Sequence, residues 1–196
     1  VVSDGDGLKL THEFSHEFWV KLSASDASMG FLMIRNLPST VSGAHVGYWG
    51  ADTPAYAGKL GFVAEANGTG SWDMILNSST IVTLGTWYHV VGTYSASGGY
   101  AALYVNGASE ASVSFTPTST PLYFEAGSTA RIGLADSTNN WRFQGDMSRA
   151  RVYDRALTAT EAQDLYRSSA ARHGITAPDP TGTLPSPSDA LLHLDG

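Results

Sequence analysis

Cysteine is absent from the 196 residues. That excludes a disulfide framework and any thiolate metal site, and it leaves the compartment open. Charge is sparse: 15% of residues are Asp, Glu, Lys or Arg, and the formal net charge is −7. The eleven Lys and Arg residues are scattered, whereas a phosphate backbone needs them clustered, so no nucleic-acid partner is expected. No apolar run approaches the roughly 20 residues of a membrane-spanning helix, and no membrane insertion is expected. Also missing are a Gly-x-Ser-x-Gly elbow, a Gly-rich phosphate loop and a histidine pair at zinc spacing. His12 and His16 are four apart, but their neighbourhood reads as strand, so they are expected at the surface or in a turn.

What remains is a chain of 42% hydrophobic and 11% aromatic residues, rich in glycine, long enough to bury one sizeable core. Its apolar residues come in short period-2 runs. Strands are expected at 18–22 (FWVKL), 30–35, 60–66, 72–76, 87–94 (WYHVVGTY), 100–105, 108–115, 122–125, 130–134, 142–144 and 147–153. Asn67-Gly68 and Asn106-Gly107 each separate two such runs, a hairpin signal because both residue types tolerate positive φ. The pattern predicts an all-β sandwich or jelly roll of two antiparallel sheets.

One stretch changes period. Thr158-Ala-Thr-Glu161 has the form of a capping box, and Leu157, Ala162, Leu165 and Tyr166 then share a helical face. A short C-terminal helix is expected, running to about Ala171 and stopping by Gly174. Arg149, Arg151 and Arg155 precede it and read as a solvated strand edge. Residues 175–188 hold four prolines and form a linker. The expected organisation is a sandwich domain at 1–174, the linker at 175–188, and a strand at 189–196 that starts a following module or completes the sandwich. The chain opens mid-pattern at Val1, as expected for part of something longer.

Three segments, in order, carry a family resemblance. FSHEFWVK at 14–21 resembles "F-T-I-E-A-W-V-K". WYHVVGTY at 87–94 followed by LYVNG at 103–107 resembles "W-H-H-V-A-x-T-Y … L-Y-V-N-G". FQGDMSRARVYDRALTATE at 143–161 resembles the closing signature F-x-G-x-I-D-x-V-R-I-Y-N-R-A-L-S-x-x-E. Together they resemble laminin-G-like, concanavalin A-like jelly-roll domains. The resemblance implies that fold, carbohydrate or extracellular partners, and a structural Ca²⁺. Asp4 and Asp6 supply oxygen ligands of the kind Ca²⁺ takes. The family's second Asp is here Ser148, and Asp146, two residues away in a strand, stands in for it as the third candidate.

Sugars are bound by aromatic faces with a few amides and carboxylates. Tyr48, Trp49 and Tyr56 lie in a Gly- and Pro-rich stretch, GAHVGYWGADTPAYAG, read as a loop; Asp136, Asn139, Asn140 and Trp141 lie in a polar stretch before the closing motif. These seven are the candidate carbohydrate-binding residues. Trp19 and Trp87 fall in shared strand motifs and are expected in the core. Retaining glycoside hydrolysis needs two carboxylates about 5 Å apart, and no such pair is visible; Glu13 and Glu17 read as solvated. Tyr88 and His89 are adjacent, so they point to opposite faces, and His89 is expected to be structural. The reading is a non-catalytic, lectin-like accessory module of a larger secreted or cell-surface protein, with a polysaccharide and neighbouring domains as partners. A structural or adhesive spacer is the alternative, and a polysaccharide-degrading enzyme stands third.

Overall fold

The computed structural model describes residues 7–35, 43–64, 74–117, 122–124, 128–133, 141–186 and 189–195. Its strands are β1 (Glu13–Leu22), β2 (Met29–Arg35), β3 (Ala44–Tyr48), β4 (Lys59–Ala64), β5 (Met74–Ile81), β6 (Trp87–Ser95), β7 (Tyr100–Val105), β8 (Ala108–Ser114), β9 (Thr129–Ile132), β10 (Gly145–Tyr153) and β11 (Ala190–Asp195). They form a six-stranded sheet, β11-β10-β1-β6-β7-β8, and a five-stranded sheet, β5-β4-β3-β2-β9. Every pairing is antiparallel. The expected two-sheet β-sandwich with one short helix is what the chain forms.

Period-2 alternation builds the core. Phe14, Phe18, Val20 and Leu22 of β1 face Met29, Leu32, Ile34, Val46 and Phe62 of the other sheet, all essentially inaccessible to water. Each such side chain contributes roughly 1.5–3 kcal/mol of transfer free energy. The β7–β8 hairpin closes on Asn106 (φ +50°) and Gly107 (φ +74°), with Val105 paired to Ala108, the two-residue turn that Asn-Gly favours. The Asn67-Gly68 hairpin lies outside the described residues.

The six-stranded sheet buries side chains on both faces, so its outer face has a second cover. Helix α1 (Ala159–Ala170) supplies it. Leu157, Ala162 and Leu165 pack onto Val91, Ala102, Tyr104 and Tyr153 of the outer face. The Thr158 hydroxyl accepts the Glu161 amide at 3.2 Å, and the Glu161 carboxylate accepts the Thr158 amide at 2.8 Å. Arg155 then grips the same carboxylate at 2.7 and 3.1 Å. A 3-10 turn at Ala171–His173 ends on Gly174, whose φ of +71° reverses the chain. Among the described residues, no helix is long and apolar enough to cross a membrane.

The returning chain is tied to the helix before it becomes β11. The Thr181 and Gly182 amides each donate to the Asp164 carboxylate at 2.7 Å. Beyond this clamp β11 pairs with β10. Asp164→Asn replaces one acceptor with a donor aimed at a donor. We expect limited proteolysis between residues 175 and 189 to quicken roughly three- to tenfold, the factor for one hydrogen bond of typical net worth. An unchanged cleavage rate would show that the clamp does not hold the segment.

Several expectations are corrected by the structure. Residues 44–48 are strand β3, not loop. Gly47 hid the alternation, and it is glycine because a Cβ there would stand 2.2 Å from the Met29 carbonyl oxygen on the neighbouring strand. Residues 122–124 are not strand, and 142–144 offer only an isolated bridge. His16 is neither surface nor turn: it is buried between the sheets against Phe14 and Phe62. Glu17 is fully buried rather than solvated, while Glu13 accepts the Ser97 amide and hydroxyl at 3.0 and 2.7 Å. Arg149 and Arg151 are buried, because β11 takes the sheet edge and α1 roofs the face. Trp19 is buried as expected, but beneath α1, where its indole N–H donates to Ser169 Oγ at 2.9 Å. Trp87 is only half-buried.

Candidate functional site

The outer face of the five-stranded sheet carries an aromatic cluster. Alternation along β3 turns His45, Gly47 and Trp49 away from the core. Trp49 lies across Gly61 of β4, where a Cβ would come within 2.3 Å of Nε1; only glycine admits the ring. Its indole N–H donates to Asn77 Oδ1 on β5 at 2.7 Å. Successive turns in 50–58 bring Tyr56 back over the ring, 5.9 Å between centroids. Trp141 meets the other side edge-on at 6.3 Å.

One carboxylate organises the rim. Asp52 Oδ1 accepts the Ser28 amide at 2.8 Å and the Ser28 hydroxyl at 2.6 Å, and Oδ2 accepts the Trp141 indole N–H at 2.9 Å. Asp52 is itself exposed. The result is a floor (Trp49, 6% exposed) between two half-exposed rings, beside a fixed carboxylate. Ring faces suit the C–H patches of a sugar, and a pinned carboxylate suits its hydroxyls.

Of the seven residues expected at a sugar site, the structure brings Trp49, Tyr56 and Trp141 together. Trp49 was expected in an exposed loop; it is buried because these two rings cover it. Tyr48 faces the opposite way, into the core, at 3% exposure. Burial raises its phenol, helped by the charges of Asp26 and Asp52. Asp136, Asn139 and Asn140 lie outside the described residues. Asp52 and Asn77 were missed. Asp52 stood in the quoted stretch as an ordinary turn aspartate, and Asn77 becomes a partner only through β4–β5 register.

Of the metal candidates, only Asp146 lies among the described residues. Asp4 and Asp6 lie outside the described residues. Asp146 sits opposite Lys21 in the β1–β10 register, its carboxylate 2.8 Å from the Lys21 ammonium. Among the described residues, no group of three or more His, Asp or Glu side chains is placed to hold a metal.

A second polar cluster lies on the other sheet, beneath α1. Glu17 accepts from Arg149 Nη1 at 3.1 Å and from the Tyr153 hydroxyl at 2.8 Å, with His89 Nε2 at 3.2 Å and Arg151 Nη1 at 3.8 Å. Burial alone would raise the Glu17 carboxyl; the hydrogen bond with His89 and the charges of His89, Arg149 and Arg151 outweigh it and hold it at about 2. Burial and the Glu17 charge push the Tyr153 phenol well up. Histidine, tyrosine and arginine on one strand face are a set that could abstract a proton from a sugar. Here Glu17 and His89 are wholly inaccessible and roofed by the helix. The cluster joins β1, β6 and β10, as the structural reading of His89 anticipated.

A family model described as "Concanavalin A-like lectin/glucanases superfamily", of the laminin-G type, matches residues 1–163. No curated protein sequence matches. Among solved structures, a candidate carbohydrate-binding protein from Bacteroides ovatus aligns with TM-score 0.61 and 17% identity over 93% of this chain. The chain spans 45% of that protein. The SAP-like pentraxin of Limulus polyphemus aligns with TM-score 0.62 and 18% identity, over 95% of this chain and 81% of its own. The CBM40 module of the Ruminococcus gnavus IT-sialidase, bound to α2,3-sialyllactose, gives TM-score 0.63 and 16% identity, over 81% of this chain and 84% of the module. At these identities the structural likeness speaks for the fold, and the family match agrees with it. The chain belongs to the concanavalin A-like lectin/glucanases superfamily, in its laminin-G-type branch.

Proposed function

We propose that the chain is a non-catalytic carbohydrate-binding module of a larger secreted or cell-surface protein. The observation that carries the reading is the Trp49, Tyr56 and Trp141 cluster with the pinned Asp52 on the outer face of the five-stranded sheet. Support also comes from neighbours of the same fold that are carbohydrate-binding modules, one of them holding sialyllactose. The two half-exposed rings offer stacking faces, and Asp52 fixes the Trp141 plane. A saccharide ring that sits between them covers apolar surface and meets one carboxylate.

A glycan array tests this. The wild-type chain is expected to bind at least one glycan, and Trp141→Ala or Tyr56→Ala to weaken it about tenfold or more, as for an anchoring aromatic at a binding site. Both side chains are half-exposed, so the melting temperature should stay near that of the wild type. Failure of the wild type to bind any glycan would overturn the reading. Full binding by both variants would move the site elsewhere.

A further inference from the structure

We propose that a second, separate cleft, between β10 and the C-terminal end of α1, binds an acidic sugar unit, a uronate or a sulfated residue. The cleft comprises two neighbouring pockets with Arg149 and Arg172 in both linings. One, about 350 Å³, runs under the returning linker past Arg151 and Pro185. The other, about 180 Å³, ends on Trp87, Ser148 and His173. Three guanidiniums therefore line one groove on a protein whose net charge is −7.

The three guanidiniums differ in burial and in their hold on Glu17. Glu17 serves Arg149 and Arg151 with a single carboxylate, at 3.1 and 3.8 Å. Arg172, the third guanidinium of the groove, is exposed. Buried Arg149 and Arg151 are fixed in place, so they lose little freedom when a carboxylate or sulfate arrives. The His173 imidazole reports the same field. Burial, then the charges of Arg149, His89 and Arg172, hold it below its ordinary range.

The sequence builds this geometry through a bulge. Trp19 pairs with Arg149 and Val20 with Met147, leaving Ser148 without a partner in the β1 register. Bulges re-aim side chains at such places. Ser148 Oγ lies 3.1 Å from His173 Nε2. Trp87, half-buried against His173 at 4.5 Å and under the Lys21 ammonium at 5.1 Å, provides an indole surface at the end of the cleft. Guanidiniums for an anion, a hydroxyl and an imidazole for sugar hydroxyls, and an indole for ring C–H groups together describe an acidic saccharide. A polynucleotide would need a longer basic track than three arginines.

Affinity electrophoresis and calorimetry on the full chain test the cleft, with polygalacturonate, chondroitin sulfate, neutral dextran and oligo-dT as probes. An acidic polysaccharide should bind at 50 mM salt, more weakly at 300 mM, and dextran not at all. Arg172→Gln changes an exposed side chain outside the Glu17 network and should weaken that binding about tenfold. Trp141→Ala should leave it unchanged, which keeps this cleft distinct from the aromatic site on the other sheet. No binding to either acidic polysaccharide, wild-type binding by Arg172→Gln, or equal binding of oligo-dT would overturn the proposal. Loss through Trp141→Ala would also overturn it, and would assign acidic-sugar recognition to the aromatic site instead.

Discussion

Glu17→Gln is expected to remove about 3–5 kcal/mol of stability, the loss typical of breaking a buried ion pair from one side. For a chain of this length that is a fall of roughly 6–20 °C in melting temperature. The side chain is wholly inaccessible and lies at the centre of a network that spans β1, β6 and β10. Two guanidiniums share its charge. Glutamine keeps the shape but removes that charge, and it places an NH₂ group among donors. Arg149 and Arg151 would remain beneath α1 without the carboxylate that their positions are built around. Tyr153→Phe, which deletes one donor and leaves the ionic core intact, should cost only about 1 kcal/mol. Thermal melts of both variants at neutral pH decide the matter. Equal, small shifts would mean that the network is decoration and that the apolar contacts of α1 hold the roof alone.

The same network shows why part of this molecule was legible in its sequence and part was not. Local rules sufficed for the Asn106-Gly107 turn, the Thr158–Glu161 cap and the stop at Gly174, because each depends on residues within a few positions. The aromatic site was half legible. Trp49, Tyr56 and Trp141 are residue types that sugars favour, but Asp52 and Asn77 acquire roles only across 89 and 28 residues of chain. The outer face of the six-stranded sheet misled the reading most. Ser15, Glu17, Arg149 and Arg151 alternate with apolar residues, which is the pattern of a solvated face. Nothing local announces that a helix after β10 will cover it. Glu17 and Arg149 are 132 positions apart, and burial there is a property of topology. The aromatic cluster and the arginine cleft also stand on opposite sheets, and no stretch of sequence could order them so.

Acidification should destabilise the fold well before its carboxylates titrate, and His16 is the reason. It is buried between the sheets beside Phe14 and Phe62. Among the described residues, its Nδ1 has no hydrogen-bond partner. Burial, with a smaller contribution from His45, lowers it from 6.5 to about 3. Its folded pKa is thus depressed, so the unfolded chain takes up a proton below pH 6.5 that the native state refuses until about pH 3. Stability therefore falls with pH through that window, by about 2 kcal/mol at pH 5 and about 4 kcal/mol near pH 3. Glu17 also loses its contribution on acidification, but later. Its carboxyl sits at about 2 against an ordinary 4.5, so its contribution is intact above pH 4.5. The interval from pH 7.5 to 5 isolates the histidine. His16→Leu, which keeps an apolar side chain of similar bulk there, should flatten the wild-type slope by about 2 kcal/mol across that interval in denaturant titrations. His173, only half-buried and shifted in the same direction, supplies a smaller residual slope. Parallel curves for the wild type and His16→Leu would show that His16 takes its proton without leaving the core, and the acid sensitivity would then have to come from elsewhere.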